Sequence, residues 1–191
     1  MDIREIVFRL RGATPVPFLL AALYGAVYNP VGLAAGALLA ASGEALRVWA
    51  VRHAGGATRT RQVGAPSLVT SGPYGLVRNP LYLANMMLYT GLALGSGAFF
   101  PWLPLVGAAF FAIQYGVIIS LEEEKLRELF GDKYGEYCRR VPRLFPGFRH
   151  WRPDGAANFR LGAALREERS TLLSLALSWS LLASRMIFFR Q

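Results

Sequence analysis

Long apolar runs and basic segments occupy different stretches of this 191-residue chain. Arg4, Arg9 and Arg11 precede the first run, and Arg52, Arg59, Arg61 and Arg78 lie between the second and the third. Eleven Lys or Arg side chains fall between residues 121 and 170, while the connections at Asn29-Pro30 and residues 96–101 carry none. A bilayer accepts only backbone whose polar groups are satisfied internally, so runs of this kind must be helical. Basic connections on one side and uncharged ones on the other place the amino terminus and the large basic segment together on the cytoplasmic face. The expected fold is all-α: a polytopic membrane protein of about five transmembrane helices with a cytoplasmic helical segment.

Composition narrows the partners. The chain is 53% hydrophobic, yet carries 21 Lys+Arg against 12 Asp+Glu. Basic side chains beside membrane helices attract anionic head groups, at about 1 kcal/mol each. Membrane lipids, not nucleic acid, are therefore the expected partners. The single cysteine, Cys138, allows no internal disulfide, and two distant histidines, His53 and His150, make a poor metal set. No metal is expected. The first eleven residues mix acids and bases with no cleavage site after a short apolar core, so the first run is expected to be retained.

The chain reads as one integral-membrane domain over residues 1–191, with amino-terminal helices and a loop over 1–66, a core over 67–146, and a connector and last helix over 147–191. The first crossing is expected over residues 14–28, with Phe8 and Leu10 contributing. Asn29-Pro30 forms a tight turn, proline suiting the first position of a helix. The second helix, residues 31–51, carries Gly32, Gly36, Ala40 and Gly43 on a stripe that permits close packing in lipid. Glu44 and Arg47 interrupt its apolar character; they either pair near the cytoplasmic end or line a polar pocket. Residues 53–71 read as a loop. The third helix is expected over 80–95, an aromatic turn over 99–102, and the fourth over 103–121. The fourth runs into an amphipathic helix broken near Gly131. After a polar connector at 149–155, the tail from about residue 156 is a fifth crossing, a tilted interfacial helix or a homodimer contact. The crossing is favoured.

Two polar segments abut these helices on the same face. Residues 70–82, TSGPYGLVRNPLY, offer Tyr74, Arg78, Asn79 and Tyr82. Residues 121–141 offer Glu122, Glu123 and Glu124, then Tyr134, Tyr137, Arg139 and Arg140. Arginine suits a carboxylate, glutamate suits an ammonium or ribose hydroxyls, and aromatic rings suit a sulfonium. A zwitterionic cofactor with an adenosyl part uses this whole set. GPYG is not a phosphate-cradling loop.

TSGPYGLVRNPLY followed by EEEKLRELFGDKYGEYCRRVPRLFP resembles the integral-membrane methyltransferases, the group of isoprenylcysteine carboxyl methyltransferases and phospholipid N-methyltransferases. The resemblance covers residues 67–146 and implies an S-adenosylmethionine site, with S-adenosylhomocysteine as product. It implies that Ser67, Leu68 and Val69 border the adenosyl group and that Tyr74 contacts the cofactor. Arg78, Asn79, Pro80, Leu81 and Tyr82 occupy the family's Arg-His-Pro-x-Tyr segment. Within it Arg78 and Asn79 stand as the catalytic candidates, with Asn79, Pro80, Leu81 and Tyr82 beside the cofactor. Glu122 matches the first glutamate of a Glu-Glu pair, with Glu123 next to it. Tyr134, Tyr137, Arg140 and Pro142 match the segment that covers the cofactor.

Two positions depart from the carboxyl methyltransferases. Asn79 stands where they usually carry histidine, and asparagine does not ionise; the phospholipid methyltransferases resemble this sequence more closely there. Ile118 stands where the eukaryotic prenylcysteine enzymes carry a substrate-binding arginine. The resemblance thus implies methyl transfer to a lipophilic or amphiphilic acceptor more firmly than it implies prenylcysteine. The alternatives are a non-enzymatic scaffold or lipid-binding subunit, and a membrane reductase, for which no dinucleotide fingerprint is present.

Overall fold

A computed structural model describes residues 2–55, 67–146 and 160–188. The described residues form helices and turns, with no strand among them. Helix α1 spans Ile3–Leu10, α2 Pro15–Tyr24, α3 Pro30–Ala54, α4 Pro80–Ser96, α5 Trp102–Arg140 and α6 Leu161–Phe188; a 3-10 turn covers Gly72–Gly75. Most of the expected loop over residues 53–71, and the connector over 149–155, lie outside the described residues.

The first crossing, expected over residues 14–28 with Phe8 and Leu10 contributing, falls on α2, and α1, which carries Phe8 and Leu10, is bent from it by 46°. Proline explains the break: Pro15 has no N–H to continue a helix and its ring excludes the carbonyl one turn earlier. Proline at the start of α2 is nevertheless well placed, and Gly25 ends that helix at Tyr24. Asp2 caps α1 by accepting from the Arg4 N–H, and Arg4 then reaches Glu124 at 2.7 Å. That contact docks α1 beside the far end of α5.

Helices α3 and α4 pack antiparallel and closely because glycines face each other. A Cβ on Gly91 would lie 2.7 Å from the Gly36 carbonyl and 2.8 Å from the Ala40 nitrogen. One on Gly43 would meet the Ala84 carbonyl at 2.9 Å. The small-residue stripe read from the sequence is this contact, and it serves where lipid offers no hydrophobic drive for helix association. Asn29 starts α3 as expected, its side chain accepting from the Val31 and Gly32 N–H groups at 3.0 Å each, with Pro30 following.

Three helices, α3, α5 and α6, are long and apolar enough to cross a membrane, and the α1–α2 pair makes a fourth if taken together. Helix α4, at 17 residues, is about 25 Å long, somewhat short of a hydrocarbon core of about 30 Å. Only 11% of the apolar window of α6 is buried inside the protein. Its exposed Leu173, Leu177 and Leu181 suit a lipid environment.

Helix α5 continues through the expected charged run and breaks where glycine allows it. Gly131 takes φ 50° and ψ −124°, so the last turns set off in a new direction. Tyr134, Tyr137 and Val141 bury there as a small cluster against Leu68, Leu126, Phe130 and Cys138. A separate core gathers Phe8, Met86, Phe111, Tyr115, Ile118 and Ile119.

Candidate functional site

The end of α5 is fastened to the start of α4 by Arg78 and Asn79. The Arg78 backbone N–H donates to the Pro142 carbonyl at 2.8 Å. Its guanidinium donates to the Cys138 and Val141 carbonyls at 3.1 and 2.7 Å, and to Glu123 at 3.1 and 2.9 Å. Asn79 occupies the N-cap position of α4 without a capping side-chain bond. Its amide instead donates to the Arg143 carbonyl at 2.9 Å. Together these satisfy carbonyls that a helix end leaves without intrahelical partners. Burial works against the Arg78 charge, but the hydrogen bonds and attraction of Glu123 hold the guanidinium above its ordinary range.

The 3-10 turn is held from both sides. His53 Nδ1, at the end of α3, lies 2.9 Å from the Ser71 hydroxyl. The Tyr137 hydroxyl donates to the Tyr74 carbonyl at 2.7 Å. Gly72 has φ 60° directly under the His53 ring, where a side chain would collide with the imidazole. Burial, then the nearby Glu122 carboxylate, push the Tyr74 phenol well above its usual range, so it meets any ligand as a neutral hydroxyl.

These elements enclose one cavity of about 1560 Å³. Of the expected site residues, Ser67, Leu68, Val69, Tyr74, Arg78, Asn79, Pro80, Leu81, Tyr82, Glu122, Tyr134 and Tyr137 all line it. Glu123 is not in the wall. Its buried carboxylate holds Arg78 on one oxygen and Arg143 on the other, at 3.1 Å. Adjacent glutamates on one helix thus point to different partners, since successive residues turn by about 100°. Glu122 faces inward and accepts from the Tyr82 hydroxyl at 2.7 Å. Glu124 faces Arg4.

Sequence reasoning missed much of the far wall. Arg11, Pro15, Phe18 and Leu19 enter from the α1–α2 bend, and Asn85, Leu88, Tyr89, Leu92 and Tyr115 from α4 and α5. Ser170, Thr171, Ser174 and Ser178 enter from α6. A signal existed for some: Ser174 and Ser178 interrupt the apolar run of α6, and both line the cavity. Arg47 lines the cavity, as one of the two readings of the Glu44–Arg47 pair expected. Among the described residues no three His, Cys, Asp or Glu gather as a metal site.

Long apolar helices surround a cavity lined by both polar and apolar side chains. The chain belongs to the phospholipid methyltransferase family, which matches residues 31–133. With three helices long and apolar enough to cross a bilayer, that membership makes it an integral membrane protein of the methyltransferase group. It is 30% identical over 172 residues to the cobalt-zinc-cadmium resistance protein CzcN of Cupriavidus metallidurans, covering 85% of this chain and 74% of that one. It is 30% identical over 120 residues to the nickel-cobalt-cadmium resistance protein NccN of Alcaligenes xylosoxydans xylosoxydans, covering 63% of this chain and 52% of the relative, about half its length. No solved structure matches it.

Proposed function

We propose that this protein transfers a methyl group from S-adenosylmethionine to a lipophilic or amphiphilic acceptor, releasing S-adenosylhomocysteine. The observation that carries this is a cavity of about 1560 Å³ lined both by polar side chains such as Glu122, Tyr74 and Tyr82 and by apolar ones such as Phe18, Leu88 and Leu92. Pockets for one small molecule span about 300–1,000 Å³, so this volume suits two ligands side by side. The basic segments favour a cytoplasmic amino terminus and a cytoplasmic cofactor site. Membrane lipids surround the outer face of α6.

The donor set around Glu122 fits the cofactor. Glu122 is a carboxylate acceptor suited to a diol or an ammonium, and Tyr82 fixes its orientation. Tyr74, Tyr134 and Tyr137 place aromatic rings in the same wall, suited to a positive sulfonium. Ser67, Leu68 and Val69 bring backbone and small side chains to one edge. When bound, S-adenosylmethionine supplies a methyl group already activated on a sulfonium sulfur.

The chain's own task is then alignment. Holding two reactants in line removes several kcal/mol from a barrier, roughly 7–11 at best. Arg78 and Asn79 contribute as positioning residues: most of the Arg78 guanidinium and the Asn79 amide are spent fixing the end of α5, which carries Tyr134 and Tyr137. Phe18, Leu19, Leu88, Leu92 and Leu175 offer an apolar wall for an acceptor's chain. A scaffold or lipid-binding subunit accounts for the helices but not for Glu122 and Tyr82 facing the same cavity.

Purified protein incubated with methyl-labelled S-adenosylmethionine and host lipid extract tests this. A labelled lipid product is expected. No labelled product from folded protein, with no stabilisation by S-adenosylhomocysteine, contradicts it.

A further inference from the structure

A second polar cluster stands in the cavity wall, joined to the Glu122–Tyr82 pair by the contact of the Tyr82 and Tyr115 rings, centroids 4.8 Å apart. Arg47 of α3, its side chain 13% exposed, meets the fully buried Glu168 of α6. Arg47 Nε donates to Glu168 Oε2 at 3.0 Å, and Nη2 to Oε1 and Oε2 at 3.1 and 2.9 Å. Nη1 donates to the Asn85 side-chain oxygen on α4. Glu44 Oε2, one turn earlier on α3, lies 4.0 Å from Arg47 Nε. Asn85 and Tyr89 approach the Tyr115 hydroxyl on α5. Arg47, Asn85, Tyr89 and Tyr115 line the cavity; Glu44 and Glu168 do not.

Packing alone does not call for this row. A buried ion pair is a poor way to stabilise a fold, and ionisable groups inside a membrane are expensive. Small residues join α3 to α4 without any charge. The row instead presents a continuous set of hydrogen-bonding groups to the cavity from three helices, tethered to a fourth. The guanidinium is already engaged inside the cluster, by Glu168 at 2.9 Å and with Glu44 at 4.0 Å. Glu168 covers the guanidinium and Glu44 stands near, so an anion finds no free positive charge. Neither Glu44 nor Glu168 lines the cavity, so a cation at this row meets the guanidinium of Arg47 and not those two carboxylates.

We propose that this row is the head-group subsite for the methyl acceptor, and that it takes an uncharged hydrogen-bonding group on an apolar chain: a hydroxyl, a thiol or an amine in its neutral form. The proposal rests on the methyl-transfer reading of the cavity and deepens it by naming the acceptor's class. Helix α6, which supplies Glu168, lies outside the stretch matched by the family. The subsite is therefore partly built by a segment that the family match does not cover.

Calorimetric titration of the purified full chain, saturated with S-adenosylhomocysteine so that Glu122 is occupied, with decanol, decanoate and decylammonium tests it. Wild-type protein is expected to bind decanol about tenfold more tightly than either charged probe, since neither charge finds a partner there. Glu168→Gln, which uncovers Arg47, is expected to raise decanoate affinity relative to decanol about tenfold. The isosteric Tyr115→Phe, which keeps the packing, is expected to weaken decanol selectively. Tighter wild-type binding of decanoate or decylammonium overturns the proposal, as does a ranking and affinity unchanged in both variants. S-adenosylhomocysteine binding is measured on the same wild-type sample. Its absence counts against methyl transfer, whereas the ranking of the three probes judges the subsite.

Discussion

Arg78 and Glu123 meet behind the cavity wall through two hydrogen bonds to one carboxylate oxygen, at 2.9 and 3.1 Å. The same guanidinium closes the carbonyls of Cys138 and Val141, so one side chain sets where α5 ends relative to α4. Arg78→Ala leaves Glu123 paired with the half-exposed Arg143 and uncovers both carbonyls. Loss of one partner of a buried pair costs about 3 kcal/mol. Denaturant or thermal unfolding in detergent is expected to show that loss. Arg78→Lys recovers only part of it, because an ammonium cannot reproduce the planar fork. Stability unchanged by Arg78→Ala contradicts the positioning role.

Tyr82 and Glu122 form the inward-facing pair, 2.7 Å apart. Tyr82→Phe keeps the ring contact with Tyr115, centroids 4.8 Å apart, and removes only the hydroxyl. S-adenosylhomocysteine is expected to bind about tenfold more weakly, about 1.4 kcal/mol, with little change in melting temperature. Equal affinity in calorimetry removes this pair from the cofactor site.

Gly91 tests the close approach of α3 and α4. A Cβ there would press on backbone atoms at 2.7 and 2.8 Å, which have no room to yield. Gly91→Val is expected to destabilise by about 1–3 kcal/mol through overpacking. Gly116→Ala, with nothing within 4 Å of the added Cβ, is the control. It is expected to be neutral or to gain up to about 1 kcal/mol from better helix propensity. Similar melting temperatures for both variants contradict the packing account.

Gly131 tests the bend in α5. Its added Cβ would meet open space, but its φ of 50° is unfavourable for any L side chain. Gly131→Ala is expected to cost about 1–2 kcal/mol. It should also lower S-adenosylhomocysteine affinity, because Tyr134 and Tyr137 lie beyond the bend. Unfolding and calorimetry on one sample separate the two effects.

Much of this architecture was legible because each element has a local cause. Asn29-Pro30 and Pro80 mark helix starts, Gly131 marks a bend, and the small residues of α3 mark a tight interface. The first crossing was placed from residue 14, next to the start of α2, but the 46° bend that Pro15 imposes between α1 and α2 was not read. The two motifs brought nearly all the expected residues to one cavity. What they could not tell was which way each side chain points: Glu122 turns inward while Glu123 turns to Arg78. The Arg47–Glu168 link joins residues 121 positions apart. No local pattern encodes such a pairing, which exists only once α6 has packed against α3.

Calorimetric titration of S-adenosylhomocysteine into the purified wild-type protein, with Tyr82→Phe beside it, tests the central claim most directly. Saturable binding at one site per chain is expected, weakened about tenfold by the variant. A folded wild-type protein that gives no binding heat and no thermal stabilisation at saturating ligand contradicts the cofactor site at Glu122.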